Sequence, residues 1–172
     1  SMAVTYADLI VGRRIGRGAC SAVHVAEHES SGELFAVKMF NAFDKTQRSQ
    51  MIKEIKILTE VDCDCIVPIK GAWHNEGNIG IILEYMDHGS LEFMCNEKIE
   101  VDEQALAAVV CQILWGLSYL HFDNRVHRDI KPANVLIDSV GSVKLSDFGI
   151  STALQNTGTI GSAVGSYRYM AP

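Results

Sequence analysis

Residues 9–15, LIVGRRI, and 23–26, VHVA, are mostly apolar and flank the glycine-bearing stretch IGRGACSAV. The polar run EHESSGE separates them from LFAVKMF at 34–40. Strand-length apolar runs joined by Gly- and Ser-bearing turns predict three strands in an antiparallel meander. At 46–60, TQRSQMIKEIKILTE, the period changes: Met51, Ile52, Ile55 and Leu58 recur close to helical spacing, with Lys53, Lys56 and Glu60 elsewhere. That predicts a helix with Glu54 at the edge of its apolar stripe. Beyond Pro68, IKGAWH and IGIILEY read as two more strands around the turn NEGN, the second apolar enough to be buried.

MDHGS at 86–90 breaks the pattern and reads as a linker between subdomains. From Asp102, DEQALAAVVCQILWGLSYLHF predicts a long helix whose positive end suits Asp102 and Glu103. Ala105, Ala108, Val109, Gln112, Leu117 and Leu120 are expected on its inward side, with Val110, Ile113 and Leu114 widening the stripe. Two short strands, VLID and VKLSD, follow around SVGS, and the final 25 residues read as a polar loop. The fold class is α+β: a small sheet with one helix, a hinge, then a helical part. One long helix and one hairpin leave apolar faces that further chain or another surface must cover.

Composition narrows the function. The formal charge, 15 minus 21 or −6, argues against a general nucleic-acid surface but not against a local phosphate pocket. A hydrophobic fraction of 48% is too high for a disordered acidic segment. With no basic leader before an apolar run and no run of eighteen apolar residues, a soluble, cytoplasmic protein without membrane association is expected. Five cysteines, Cys20, Cys63, Cys65, Cys95 and Cys111, lack framework spacing and suit a reducing compartment. Cys63 and Cys65 stand too close for a zinc-ligand pair, and no second pair follows.

The candidate chemistry lies in four places. In GRGACSAV, Gly16 and Gly18 let backbone approach phosphate oxygens, with Val23 against a base; alone, this is equally an ordinary hairpin. It is neither a Walker loop nor a dinucleotide fingerprint, because GK[ST] is absent and another strand follows. In AVK, Lys38 lies within an apolar strand and needs a partner; Glu54 on the next helix is the candidate, against a snorkelling lysine and a solvent-facing glutamate. In VHRDIKPANVLID, Asp129 suits a proton acceptor, Lys131 a phosphoryl-neutralising cation and Asn134 a metal-binding carbonyl. Asp147, in SDFG at the end of an apolar strand, suits Mg²⁺ held beside nucleotide phosphates.

In that order, the Gly-rich loop, AVK lysine, helix glutamate, HRDxKxxN, DFG and AP resemble the eukaryotic protein-kinase signature over residues 8–172. LEYMDHGSL, KEIKIL and VGSYRYMAP are most similar to MAP kinase kinases, which are dual-specificity enzymes; other Ser/Thr kinases are the competitors. The resemblance implies a protein-kinase-like fold: an antiparallel five-stranded N-lobe with its C-helix over 8–85, a hinge at 86–89, and a partial C-lobe at 90–172 carrying the catalytic loop and activation segment. It implies ATP and Mg²⁺ as cofactors. Asp129 would be the base, Lys131 the phosphate-neutralising residue, and Asn134 and Asp147 the metal ligands. Lys38 would hold the α- and β-phosphates and pair with Glu54. Ile15, Gly16, Gly18, Val23, Ala36, Leu83 as gatekeeper, Glu84, Met86 and Leu136 would line the nucleotide site. His127, Phe148, Leu58 and Ile69 would form a stacked spine. Together, Lys38, Asp129, Asn134 and Asp147 are expected to serve one magnesium-bound triphosphate.

Regulation would involve Arg128 and a phosphorylated loop residue, Ser162 and Thr157 first and Thr159 behind it. Ser21 stands where the loop's third glycine is usual, and Ser166 where threonine is usual, with its hydroxyl expected to reach Asp129 and Lys131. Cys20 reads as a small spacer rather than a reactive thiol. The implied activity is phosphoryl transfer to Ser/Thr and Tyr of a protein, with a MAP kinase as substrate and an upstream activating kinase as partner. The alternatives are a Ser/Thr kinase of another subfamily and a nucleotide-binding scaffold without turnover. The scaffold is disfavoured because Lys38, Asp129 and Asp147 are all present.

Overall fold

The computed structural model describes residues 4–17, 21–75, 77–148, 152–153 and 166–169. Its largest sheet is built from β1 (Leu9–Arg17), β2 (Ala22–His28), β3 (Leu34–Asn41), β4 (Ile69–Asn75) and β5 (Asn78–Glu84) in the order β1-β2-β3-β5-β4, every neighbouring pair antiparallel. β3 lies at its centre and is almost wholly buried. Period-two alternation divides its side chains: Phe35 and Val37 join Leu9, Ala26 and Ile82 in a core on one face, and Ala36, Lys38 and Phe40 point to the other. Helix α1 (Lys45–Glu60) packs on the Lys38 side of β3. Asp44 caps it, its Oδ1 accepting from Thr46 N at 2.8 Å and Gln47 N at 3.0 Å.

α1 corrects the sequence reading at one point. Its buried positions are Met51, Glu54 and Leu58, and Ile52 is 56% exposed. The inward stripe therefore centres on Glu54, which was expected at its edge. A carboxylate tolerates that position because Lys38 meets it there.

The chain divides into two compact units, Ser1–Glu60 with Pro68–Tyr85, and Val61–Val67 with Met86–Pro172. Within the second unit, Val61–Val67 is tied to the strand β9 (Val143–Leu145). Ile66 bridges Leu145, Leu145 N donates to Cys65 O at 2.9 Å, and Val67 N donates to Leu145 O at 3.0 Å. β9 pairs with β8 (Val135–Ile137), and β8 pairs with β6 (Gly89–Ser90), so the stretch read as a linker ends in a short strand. Ser90 caps a helix absent from the sequence reading, α2 (Leu91–Asn96). β7 (Arg125–Val126) pairs with β10 (Thr152–Ala153), and Tyr167–Tyr169 form a 3-10 turn; the tail expected to be loop thus carries these two short elements.

Helix α3 (Glu103–Phe122) begins at Asp102, whose side chain accepts from Ala105 N at 2.7 Å. Only Gly116 and Leu120 are buried; Val109, Gln112, Ile113 and Leu117 are half-buried. Ala105, Ala108, Val110 and Leu114, expected inward, are exposed, as are Leu106, Trp115 and Phe122. Among the described residues α3 rests chiefly on β9 and β7, so its covered stripe is narrower than its apolar one. By length and a mean hydropathy of 1.6 this helix is long and apolar enough to cross a membrane. Polar tethers tie it to its unit: Gln112 Nε2 donates to Gly141 O at 3.1 Å and its Oε1 accepts from Val143 N at 2.9 Å, and the Tyr119 hydroxyl accepts from Asp62 N at 3.0 Å.

Candidate active site

In the first unit the chemistry rests on one buried pair. Lys38 Nζ donates to both carboxylate oxygens of Glu54, at 2.7 and 2.8 Å, with side chains 9% and 2% exposed. The ammonium also lies 5.5 Å from the centre of the Phe40 ring. β3 presents the lysine because its even-numbered residues face α1, and α1 presents the glutamate because Met51, Glu54 and Leu58 share one side. On the same sheet, Gly16 is in register with Val23, and Ala36 with Leu83. Ile15, Val23 and Leu83 are partly exposed and Ala36 is buried. Glu84 N donates to Pro68 O at 3.2 Å.

In the second unit a denser network surrounds Asp129. Its Oδ2 accepts from Lys131 Nζ at 2.7 Å and Asn134 Nδ2 at 3.0 Å. Its Oδ1 accepts from the hydroxyl of Ser166 at 2.7 Å and from Ser166 N at 3.1 Å. Lys131 Nζ also donates to Ser166 Oγ at 2.9 Å, and Asn134 Nδ2 to Asp129 O at 2.9 Å. The spacing follows from a 3-10 turn at Pro132–Asn134, where the proline starts the turn and Asn134 N donates to Lys131 O. Burial alone would push the Asp129 carboxyl up. The hydrogen bonds from Lys131 and Ser166, the lysine charge and the Asn134 amide outweigh it and hold the group below the usual carboxylate range.

His127 anchors the network from beneath. It is fully buried, and its Nε2–H donates to Ser146 O at 2.9 Å while its Nδ1 accepts from Asp129 N at 3.3 Å. Burial lowers its pKa, against the opposing pull of the Ser146 bond and of Asp147 and Asp129, so the ring is held neutral in one tautomer. Its ring lies 4.8 Å from that of the buried Phe148. Ser146 closes the circuit: its N–H donates to Asn134 O at 2.9 Å and its hydroxyl to the same oxygen at 3.2 Å. The residue before Asp147 is thereby fastened to the turn that carries Asn134.

Arg128 and Asp147 both adopt left-handed backbone, with φ of 70° and 65°. Such angles cost of order 1–3 kcal/mol outside glycine and gather where a scaffold must aim a functional group. With its amide NH₂ committed to Asp129, Asn134 has its Oδ1 left as acceptor. One amide oxygen and one carboxylate suit Mg²⁺ that brings phosphate and water oxygens of its own. Among the described residues no cluster of three His, Cys, Asp or Glu side chains offers a different metal site.

A family model described as the protein kinase domain matches residues 9–172. The chain belongs to the protein kinase family. It is 37% identical over 172 residues to mitogen-activated protein kinase kinase 2 of Arabidopsis thaliana, covering 98% of this chain and 47% of that protein. It is 40% identical over 163 residues to mitogen-activated protein kinase kinase 3 of the same plant, covering 92% and 31%. To the dual specificity mitogen-activated protein kinase kinase 1 of Dictyostelium discoideum it is 39% identical over 168 residues, covering 96% and 26%. The chain thus spans half or less of the length of these curated relatives. The five-stranded antiparallel sheet with α1 is the N-lobe of the kinase fold, as the resemblance implied.

The structure joins Lys38 to Glu54 in the first unit, and Asp129 to Lys131, Asn134 and Ser166 in the second. Leu58 is buried and Ile69 half-buried in the first unit; Met86 is buried and Leu136 half-buried in the second, where Met86 O accepts from Gly89 N at 3.1 Å. Gly18, Cys20, Gly149, Thr157, Thr159, Ser162, Ala171 and Pro172 lie outside the described residues. Sequence reasoning missed Ser146. Its role runs through main-chain groups and a hydroxyl that any loop serine offers, and only its place directly before Asp147 marks it.

Proposed function

We propose that this chain carries the nucleotide-binding and catalytic residues of a MAP kinase kinase. That enzyme moves the γ-phosphoryl group of ATP to threonine and tyrosine hydroxyls of a MAP kinase. The Asp129–Lys131–Asn134–Ser166 network carries the reading: a carboxylate kept ionised, a cation beside it, and an amide that leaves one oxygen available. Asp129 orients the attacking hydroxyl and takes its proton as that oxygen bonds the γ-phosphorus and the bond from the γ-phosphorus to the β–γ bridging oxygen breaks, releasing ADP. A low-pKa carboxylate suffices, because a loose transition state asks the base for positioning more than for strength. Lys131 neutralises charge on the transferred group, and Ser166 fixes the rotamer of Asp129. Asn134 and Asp147 would hold Mg²⁺, which supplies charge neutralisation at the phosphates. Lys38, kept in place by Glu54, contacts the α- and β-phosphates, and Ile15, Val23, Ala36 and Leu136 supply apolar area for adenine.

Regulation would come from an upstream kinase that phosphorylates Ser162 and Thr157 or Thr159, with Arg128 receiving the phosphate. The relatives' names favour a MAP kinase substrate over another protein. Phosphosite mapping decides it: full-length protein and MgATP are incubated with recombinant MAP kinases and a general Ser/Thr substrate. Dual threonine and tyrosine modification of a MAP kinase is expected. Modification of the general substrate alone would assign another subfamily, and ATP binding with no transfer would leave a scaffold.

A further inference from the structure

The outer face of the sheet, opposite Lys38, is closed by the segment before β1. Val4 and Tyr6 pack against the core formed by Leu9, Ala26, Phe35, Val37 and Ile82, together with Val11, Met39 and Trp73. The Tyr6 ring stacks on the Trp73 indole, with centroids 3.8 Å apart and planes at 24°. Two glycines make room for this arrangement. A Cβ at Gly71 would stand 2.5 Å from Val4 O, and one at Gly80 would stand 2.3 Å from Trp73 Nε1. The indole N–H has no acceptor among the described residues, so the ring is seated by its faces, with the sheet on one side and Tyr6 on the other. The segment is anchored behind this point, where Glu29 N donates to Asp8 O at 2.9 Å.

We infer that Val4–Asp8 is a strap whose seating on Trp73 and Gly71 positions the strand that carries Lys38. β3 is one layer with two faces: Val37 and Met39 belong to the strapped core, and Lys38 between them points to Glu54. Val37 is in register with Ile82 and Lys38 with Ile81, so β5 transmits the same packing. Close-packed interiors pass displacement rather than absorb it, so lifting the strap loosens the strand under the lysine. Tyr6 is thus a positioning residue, and the nucleotide half of the inference rests on the kinase reading.

The test compares wild type, Tyr6→Ala and Tyr6→Phe in the full-length protein, by hydrogen exchange and ATP titration. Tyr6→Ala is expected to speed exchange in 34–41 and 69–75 but not in 103–122, and to raise the ATP Kd about three- to tenfold, the loss of one aromatic stack. Tyr6→Phe keeps the stack and is expected to match wild type in both. Gly71→Ala presses on Val4 O and lifts the strap with both aromatic side chains retained, and serves if Tyr6→Ala does not fold. Wild-type exchange in Tyr6→Ala overturns the strap. Faster exchange with unchanged ATP Kd overturns the positioning of Lys38. A wild type that binds no ATP sinks the kinase reading and the lysine half with it, while the exchange comparison still decides the strap.

Discussion

Asp129 has four donors on its carboxylate and Ser166 supplies two of them, so a single hydroxyl has a measurable effect there. Ser166→Ala removes a bond that lowers the Asp129 pKa, which moves the acid limb of the kcat/KM profile to higher pH; Ser166→Thr keeps the bond and the limb. An unmoved limb in the alanine variant would separate Ser166 from the base. His127 gives a stability effect of defined sign. Its folded pKa lies below the ordinary value of 6.5, so the folded state resists a proton that the unfolded chain accepts. Its contribution is complete above that value and is lost as pH falls from there toward the lower folded value, at no more than about 1.4 kcal/mol per pH unit. Urea midpoints at pH 7.5 and 5.5, roughly bracketing the ordinary histidine value, are expected to fall further apart in wild type than in His127→Gln. The pair Lys38–Glu54 is the third case. Lys38→Met removes the paired cation from a carboxylate with only 2% exposure, at a cost of about 3–5 kcal/mol, and Lys38→Met with Glu54→Leu is expected to recover most of it in urea unfolding.

At the scale of elements, legibility in the sequence followed the kind of force that builds each one. The five strands were readable because alternation and turn residues are local signals, and β1 to β5 fall on the runs that carry them. The face of α1 was misread because a carboxylate counts as polar until its partner is known, and Lys38 lies sixteen residues away. The width of α3's buried stripe depends on what covers it, which its own apolar pattern does not state. α2 is six residues long and leaves little periodicity to find. Asp129, Lys131 and Asn134 were legible as one hydrogen-bonded group by residue type and spacing. The left-handed backbone of Arg128 and Asp147 and the bridging by Ser146 were not, because backbone geometry has no residue signature there. Gln112 gives an element-scale prediction. Gln112→Leu removes the bond to the exposed Gly141 carbonyl and strands the buried Val143 N–H, the two groups that tie the β8–β9 hairpin to α3, at a cost of about 1–3 kcal/mol in urea unfolding. No change in midpoint would mean that apolar contacts alone hold the hairpin.

For the whole molecule, the candidate residues divide between two compact units: Lys38 and Glu54 lie in one, and Asp129, Lys131, Asn134, Asp147 and Ser166 in the other. Each group is wired within its own unit, Lys38 to Glu54 and Asp129 to Lys131, Asn134 and Ser166. Binding and chemistry should therefore separate on mutation. Lys38→Met is expected to weaken ATP binding and transfer together, whereas a change at Asp129 removes transfer alone. The most direct measurement uses the full-length protein, radiolabelled ATP with magnesium and a recombinant MAP kinase, comparing wild type with Asp129→Asn. The expected result is a loss of transfer of about 10²–10⁴-fold with an unchanged ATP Kd. Undiminished transfer by the asparagine variant would contradict Asp129 as the base and, with it, the catalytic reading of this site.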